Sequence, residues 1–147
     1  RFIAEHGSDP RKDSNTLGRI WREAQDAKHT LTARQECTLT CDYQGNAISF
    51  TLTRDTFAAM TSDLIERTRF TTTQTLAAAQ LEWHAIDRIL LVGGSTRMPA
   101  IKEMLTQLSD RPLDQSVSPD EAVAHGAALH AAICLSELAG EPTRFSV

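Results

Sequence analysis

The sequence has few of the residues from which disulfide frameworks and metal sites are built. Its 147 residues include 3 cysteines, an odd number, and 5 histidines, with no CxxC or HxxxH spacing. Cys37 and Cys41 stand four positions apart in an alternating segment, so on one strand they would be about 13 Å apart, beyond disulfide reach. Cys134 falls in an alanine-rich helical segment. We therefore expect buried free thiols, a reducing cytoplasmic location and no metal site.

Positive charge and long apolar runs are scarce as well. Lys and Arg number 15 against 19 Asp and Glu, which gives a formal net charge of −4. Because the sequence also lacks a basic run, we do not expect nucleic acid as a partner. No apolar run reaches the roughly 20 residues of a membrane span, so we expect no membrane association. The opening residues RFIAE resemble neither a signal nor a transit peptide. Because the first residue is Arg1 and not Met, we expect the sequence to be part of a longer protein.

The hydrophobic period changes along the first half of the chain. Residues 1–15 are predicted to form a lead-in loop. A helical spacing then runs through Leu17, Ile20, Trp21, Ala24, Ala27 and Leu31. Residues 37–43 and 48–52 alternate between apolar and polar, which predicts a β-hairpin with one buried face. Thr53 is predicted to cap the next helix, and the three threonines at 71–73 are predicted to interrupt the helical segment.

The second half has a different pattern. Residues 89–92, Ile-Leu-Leu-Val, are apolar at every position, which predicts a strand at about 88–92 covered by helices on both sides. Pro99 is predicted to open a helix to about 109. Residues 118–121, Ser-Pro-Asp-Glu, form a capping box that predicts a helix over about 119–138. Gly126 inside that helix suggests close approach of another backbone, and the whole pattern predicts an α/β fold.

Two groups of residues are candidates for binding a ligand. The glycine turn, residues 93–97, follows the apolar strand. There Gly93, Gly94 and Ser95 would let a ligand touch the backbone, and Arg97 could stack on a base or pair with a phosphate. The polar stripe has the spacing of one helix face and consists of Gln25, Lys28, His29 and Thr32. Taken alone, the first is more typical of a plain strand-to-helix turn than of a ligand site, and the second is more typical of a solvated helix face. Asp120 is a third candidate, and an acidic residue near a helix start is stabilising in any protein.

Longer motifs resemble a known family. Residues 89–99, ILLVGGSTRMP, look like the adenosine-contacting turn of the seventy-kilodalton heat-shock (DnaK-type) chaperones, members of the actin-like ATPase superfamily. Residues 118–128, SPDEAVAHGAA, resemble the helix start that follows it in that family. Residues 2–5 (FIAE), residues 24–32 (AQDAKHTLT) and the hairpin-then-helix order agree as well, so the resemblance extends to about Leu138.

The resemblance implies a place for each part. Residues 1–86 would form an outer lobe of helices and a hairpin in the second half of the nucleotide-binding domain. Residues 87–147 would form the C-terminal part of the inner lobe, with a buried strand and flanking helices. In this family adenosine lies between these lobes. The nucleoside-contacting positions would be Gln25, Lys28, His29, Thr32, Gly93, Gly94, Ser95, Arg97 and Asp120. Gln25 replaces the family's usual Glu, and His29 replaces an Arg or an aliphatic residue.

The implied cofactor is ATP or ADP, and the implied partners belong to the longer protein. Neither family phosphate loop, D-x-G-T-[ST] or G-G-G-T-F-D, occurs here, so phosphate and Mg²⁺ contacts are expected from other regions, and the chain alone is not expected to hydrolyse ATP. A nucleotide exchange factor is expected on residues 12–86. A co-chaperone is expected to bind the longer protein, and client polypeptides are expected to bind a further domain. The alternatives are a fragment of another actin-like ATPase and a degenerate interaction module without nucleotide binding.

Overall fold

The structure is a computed structural model that describes residues 1–140. It divides into two compact units, Arg1–Thr68 and Arg69–Val147. The elements in chain order are α1 (Phe2–His6), α2 (Ser14–Ala33), β1 (Glu36–Tyr43), β2 (Asn46–Thr53), α3 (Arg54–Met60), α4 (Ser62–Ala78), β3 (Ile89–Leu90), α5 (Pro99–Ser109), β4 (Leu113–Asp114) and α6 (Ala122–Ala139). The α/β class is confirmed. The assignment of 1–86 and 87–147 to two lobes stays a prediction, and residues 141–147 of the second span lie outside the described residues.

The N-terminal segment is a short helix where the sequence predicted only a loop. Phe2 is 5% exposed, and its ring lies 4.8 Å from the His6 ring and 6.3 Å from the Tyr43 ring, centroid to centroid. Gly7 ends α1 with a φ of 68°, the left-handed conformation that glycine adopts without strain. The prediction was wrong here because burial of Phe2 against Tyr43 is a tertiary contact.

Helix α2 is confirmed, but its buried face is narrower than predicted. Ala27 and Leu31 are 6% and 2% exposed, whereas Trp21 is 70% exposed. Successive residues of an α-helix are rotated by about 100°, so Trp21 lies about that far round the helix from Ile20, which shares the buried face. The prediction that Trp21 belongs to the core stripe was wrong for this reason.

The hairpin formed by β1 and β2 is confirmed, but its apolar face is half-buried, not buried as predicted. Its eight residue pairs run without a bulge from Glu36↔Thr53 to Tyr43↔Asn46. The two-residue turn has positive φ at both Gln44 and Gly45, 50° and 78°, as hairpin turns of this length require. Cys37 and Cys41 lie half-buried on one face, and burial raises the pKa of both thiols.

The predicted cap at Thr53 is confirmed, and the predicted break at 71–73 is wrong. The Thr53 hydroxyl accepts the backbone N–H of Thr56 at 3.1 Å. Helix α4 continues through the threonines to Ala78. Thr73 and Thr75 donate their hydroxyls to the carbonyls four residues earlier, at 3.0 and 2.8 Å. These bonds satisfy the hydroxyls inside a helix and remove the reason for a break.

In the second unit, β3 and β4 pair in parallel, with Ile89 opposite Leu113 and Leu90 opposite Asp114. The strand is shorter than the predicted 88–92. Leu91 is 3% exposed and packs in the core, but Leu90 and Val92 are 49% and 40% exposed. Cover on both sides was therefore a wrong prediction for the described residues. Helix α5 is confirmed, and it buries Met104 and Leu105.

Helix α6 begins three residues later than predicted. Glu121 occupies the N-cap without a side-chain cap bond, and Ser118 instead accepts the backbone N–H groups of Glu121 and Ala122 through its carbonyl, at 3.2 and 3.0 Å. The capping box was therefore wrong. A Cβ on Gly126 would meet nothing within 4 Å in the described chain, so the expected close backbone approach is also wrong there.

Helix α6 is long and apolar in composition. Its 18 residues have a mean hydropathy of 1.3, which by length and composition is enough to cross a membrane. This is weak support for a membrane span, because core helices of water-soluble proteins pass the same test. The helix is not an uninterrupted apolar run, because His125, His130 and Glu137 lie within it.

The N-cap of α2 makes a pH-dependent contribution to stability. The Asp13 carboxylate accepts the backbone N–H of Thr16 at 2.7 Å, and the hydrogen bonding of Thr16 to this carboxylate holds its pKa below the ordinary value of 3.8. A lowered folded-state pKa stabilises the fold above the unfolded-state pKa, and that stability is lost as pH falls through the folded-state pKa. We expect Asp13→Asn, which keeps an acceptor, to reduce the loss of unfolding free energy below about pH 4. Urea denaturation of both proteins at pH 3 and pH 7 measures this, and equal pH dependence would contradict it.

Candidate functional site

The glycine turn is held in place by backbone and hydroxyl hydrogen bonds. Gly93 has a φ of 89° and a ψ of 148°, a region that is open almost only to glycine. Its N–H donates to the carbonyl of Pro119 at 2.9 Å. Its own carbonyl accepts the Thr96 N–H at 3.0 Å and the Thr96 hydroxyl at 2.7 Å. The turn is therefore joined to the loop before α6 and closed by a single 3₁₀ turn over Gly94–Arg97.

Arg97 and Asp120, predicted separately from different motifs, form an ion pair. The Arg97 guanidinium donates to Asp120 Oδ2, and the two side chains are 50% and 59% exposed. Asp120 lies in the turn before α6, so the role predicted for it in the first turn of a helix is corrected. Because the pair is exposed, its contribution to stability is small, but it restricts the orientations of the guanidinium.

Gly94 has no packing reason in this structure to be glycine. Its φ lies outside the left-handed region, and a Cβ there would come no closer than 3.7 Å, to Asp120 Oδ1. That distance is an ordinary van der Waals contact. An exposed surface thus remains beside Gly94, Ser95 and Arg97, where a flat ligand can approach the backbone.

The polar stripe is confirmed as one face of α2. Gln25 and His29 are exposed, while Lys28 and Thr32 are half-buried. The Thr32 hydroxyl donates to the Lys28 carbonyl at 3.3 Å. The stripe therefore presents an amide, an ammonium and an imidazole, together with a hydroxyl whose oxygen can still accept a hydrogen bond.

Arg54, which the sequence did not indicate, holds the end of α2 that carries this stripe. Its Nε donates to the Leu31 carbonyl at 2.9 Å, and its terminal nitrogen donates to the Arg34 carbonyl at 2.9 Å and the Thr32 carbonyl at 3.4 Å. The last carbonyls of a helix have no partner within it, and here the chain continues into β1 without a glycine cap. The side chain of Arg54 replaces that cap. The one sequence signal that could have suggested the capping role of Arg54 is its position directly after the predicted helix cap Thr53.

Two cavities lie away from the glycine turn and the polar stripe. One of about 380 Å³ in the first unit is lined by charged residues of α2 and by β1, Arg19, Glu23 and Asp42 among them. Another of about 480 Å³ in the second unit is lined mainly by apolar side chains such as Leu76, Leu81 and Trp83. Neither of these two is lined by any of the nine predicted site residues. The described residues hold no cluster of three or more His, Cys, Asp or Glu arranged for a metal ion.

Comparison with known proteins supplies the family. The Hsp70 protein family model matches residues 1–143. The chaperone protein DnaK of Thermosipho africanus is 38% identical over 146 residues, covering 95% of this chain and 24% of that protein. DnaK of Halobacterium salinarum is 38% identical over 143 residues, covering 93% of this chain and 23% of that protein. DnaK of Metamycoplasma hominis is 33% identical over 141 residues, covering 92% of this chain and 24% of that protein.

The chain thus spans about a quarter of the length of the curated relatives it matches. The match runs through both units, and it includes the glycine turn and the residues before α6. The resemblance drawn from those two motifs is confirmed, and the alternative of another actin-like ATPase is set aside. The chain belongs to the Hsp70 family of heat-shock chaperones.

Proposed function

We propose that this chain forms the adenosine-contacting part of the ATPase domain of a longer chaperone, in which ATP turnover controls the binding of client polypeptides. The glycine turn with Asp120 and the polar stripe would supply the nucleoside contacts. The observation that carries the proposal is Gly94, a glycine that the fold does not need, placed beside an oriented arginine. Close approach of a ligand to the backbone is a reason for glycine at such a position.

The residues fit the chemistry of an adenosine. The Arg97 guanidinium, oriented by Asp120, presents a planar cation that stacks on an aromatic base. Gln25 and Thr32 carry groups that hydrogen-bond ribose hydroxyls, and Lys28 brings positive charge toward the phosphates. When bound, ATP would supply the triphosphate that is hydrolysed to ADP, and phosphate and Mg²⁺ contacts would come from other parts of the longer protein.

Alanine at position 94 tests this proposal in the longer protein. Gly94→Ala should weaken ATP binding by about tenfold or more, because a methyl group occupies the surface that the nucleoside approaches. Arg97→Ala should weaken it about 3-fold to 30-fold through loss of the cation–π contact. Isothermal titration calorimetry measures both affinities, and thermal unfolding should show unchanged stability for Gly94→Ala.

Gly18→Ala is the matched control. Gly18 lies in α2 two turns, or about 10 Å along the axis, before Gln25. A Cβ there meets nothing within 4 Å, so ATP affinity should stay at the wild-type value. Unchanged affinity in Gly94→Ala would identify a plain strand-to-helix turn and contradict the proposal. Absence of ATP binding by the wild-type longer protein would favour the degenerate interaction module. The 147-residue chain alone should bind ATP with a Kd near or above about 1 mM.

The remaining assignments also belong to the longer protein. We propose a cytoplasmic location, a nucleotide exchange factor that binds within residues 12–86, a co-chaperone and client polypeptides. Family membership supports such partners in general, and amide hydrogen exchange with the cognate exchange factor would map its surface. Protection confined to residues 97–138 would contradict that part.

A further inference from the structure

The two edges of the hairpin differ in how their backbone groups are satisfied. On the β1 edge, Glu23 Oε1 accepts the Thr40 N–H at 3.1 Å and the Thr40 hydroxyl at 2.9 Å. The Arg19 guanidinium donates to the Asp42 carbonyl at 2.9 Å. Side chains of α2 thus bind backbone groups of β1 that point away from β2, and this edge is covered.

The same bonds establish which groups of β2 point outward. Since the Thr40 N–H faces away from β2, Thr40 and its partner Ser49 form a non-hydrogen-bonded pair. The alternation then turns the N–H and C=O groups of Ala47, Ser49 and Thr51 away from β1. The Arg54 N–H, which donates to the Gln35 carbonyl at 2.7 Å, fits the same alternation. Ala47, Ser49 and Thr51 are called the outer edge of β2 below.

Within residues 1–140 the outer edge of β2 has no partner. No other strand pairs with β2 besides β1, and all three residues are exposed. The strand, NAISFTLT, holds no charged residue and no proline, and its register has no bulge. Charged side chains, proline and bulges are the features by which proteins protect an open edge from pairing with another chain, and β2 has none of them.

We propose that the outer edge of β2 pairs with the same edge of a second copy of this chain, antiparallel and about a twofold axis at Ser49. Ser49 then lies opposite the partner's Ser49, and Ala47 lies opposite the partner's Thr51. Three hydrogen-bonded pairs result, each with two N–H···O bonds, so about six bonds join two hairpins into a four-stranded sheet. An axis at Ala47 or Thr51 would leave part of the outer edge unpaired.

The side chains of Ile48 and Phe50, on the sheet face opposite to that of Ala47, Ser49 and Thr51, favour the same register. The positions between the hydrogen-bonded pairs place Ile48 opposite the partner's Phe50 on both sides of the axis. Phe50 is 37% exposed in the single chain, and aromatic residues paired with β-branched ones stabilise antiparallel strands. Because β2 carries no charge, no like charges meet across the axis. This self-complementarity is why the proposal commits to a second copy.

Sedimentation equilibrium of the 147-residue chain tests the proposal. We expect a reversible dimer with a Kd below about 1 mM, and at least tenfold weaker association for Ser49→Lys, which places two ammonium groups next to each other at the axis. Thr38→Lys is the matched control. It adds the same charge on the same sheet face but on β1, and it should dimerise like the wild type. Circular dichroism verifies that both variants fold.

Amide hydrogen exchange gives an independent measurement. The N–H groups of Ala47, Ser49 and Thr51 should exchange more slowly as chain concentration rises, while those of Ile48 and Phe50, which face β1, should already be protected at low concentration. A wild type that stays monomeric would overturn the proposal. So would equal weakening by both lysine variants, or a dimer that Ser49→Lys leaves intact.

Discussion

Replacing Gly93 with alanine should lower the free energy of unfolding of the second unit by about 2 kcal/mol. The residue has a φ of 89° and a ψ of 148°, and a Cβ is strained in that conformation even though no neighbouring atom lies within 4 Å of it. The strain would be relieved by moving the turn away from the Pro119 carbonyl. In the longer protein we therefore expect Gly93→Ala to lower both stability and ATP affinity.

Gly126→Ala is the control for this prediction. Gly126 also has open space around its Cβ position, but it lies inside α6, past the first turn, where alanine is favoured over glycine by about 1 kcal/mol. The same chemical change should therefore stabilise at position 126 and destabilise at position 93. Chemical denaturation measures both free energies of unfolding. A neutral or stabilising effect of Gly93→Ala would show that the turn does not require glycine.

Replacing Arg54 with methionine should lower the free energy of unfolding of the first unit by about 2 kcal/mol. The change keeps an unbranched side-chain stem but removes the guanidinium, and with it the donors to the Leu31 and Arg34 carbonyls, each 2.9 Å away. Hydrogen bonds from a charged group contribute about 1.5–3 kcal/mol, and the part-buried Leu31 carbonyl, left without a partner, keeps its desolvation cost. The last turn of α2 should then fray, and with it the positions of Lys28 and Thr32.

Two further variants separate this role from a general effect of charge. Arg54→Lys keeps the positive charge but cannot reach several carbonyls at once as the planar guanidinium does, so it should recover only part of the loss. Arg19→Met removes a guanidinium that also donates to a backbone carbonyl, that of Asp42, but whose side chain is 54% exposed. Its cost should be under about 1 kcal/mol. Urea denaturation gives the three values, and equal losses for Arg54→Met and Arg19→Met would contradict the capping role.

Patterns of short range predicted the local elements of this protein well. The hairpin follows from alternation around Gln44–Gly45, the start of α3 follows from Thr53, and the start of α5 follows from Pro99. The Hsp70 family follows from two motifs of about eleven residues each. Such features depend on neighbours within a few positions, so a single sequence contains the information that determines them.

Two of the errors fall where a distant contact overrides the local pattern. Phe2 packs against Tyr43 and turns a predicted loop into α1. Ser118, read as a helix cap, instead belongs to the turn whose Pro119 carbonyl accepts the Gly93 N–H, and α6 begins at Ala122. The error at the threonines 71–73 is instead a local one: the segment stays helical, and the Thr73 hydroxyl donates to the carbonyl one turn earlier, a bond that is compatible with a helix.

For the candidate site, the sequence by itself determined which residue types are present and that four of them share one face of α2. It also determined that glycines follow β3. Only the tertiary structure decided that Arg97 pairs with Asp120, 23 residues away in the chain, that Arg54 closes the end of α2, and that one edge of the hairpin is covered while the other is open. The physical reason is that hydrogen bonds and ion pairs between distant segments depend on where folding places their atoms, and hydrophobic periodicity carries no information about those positions.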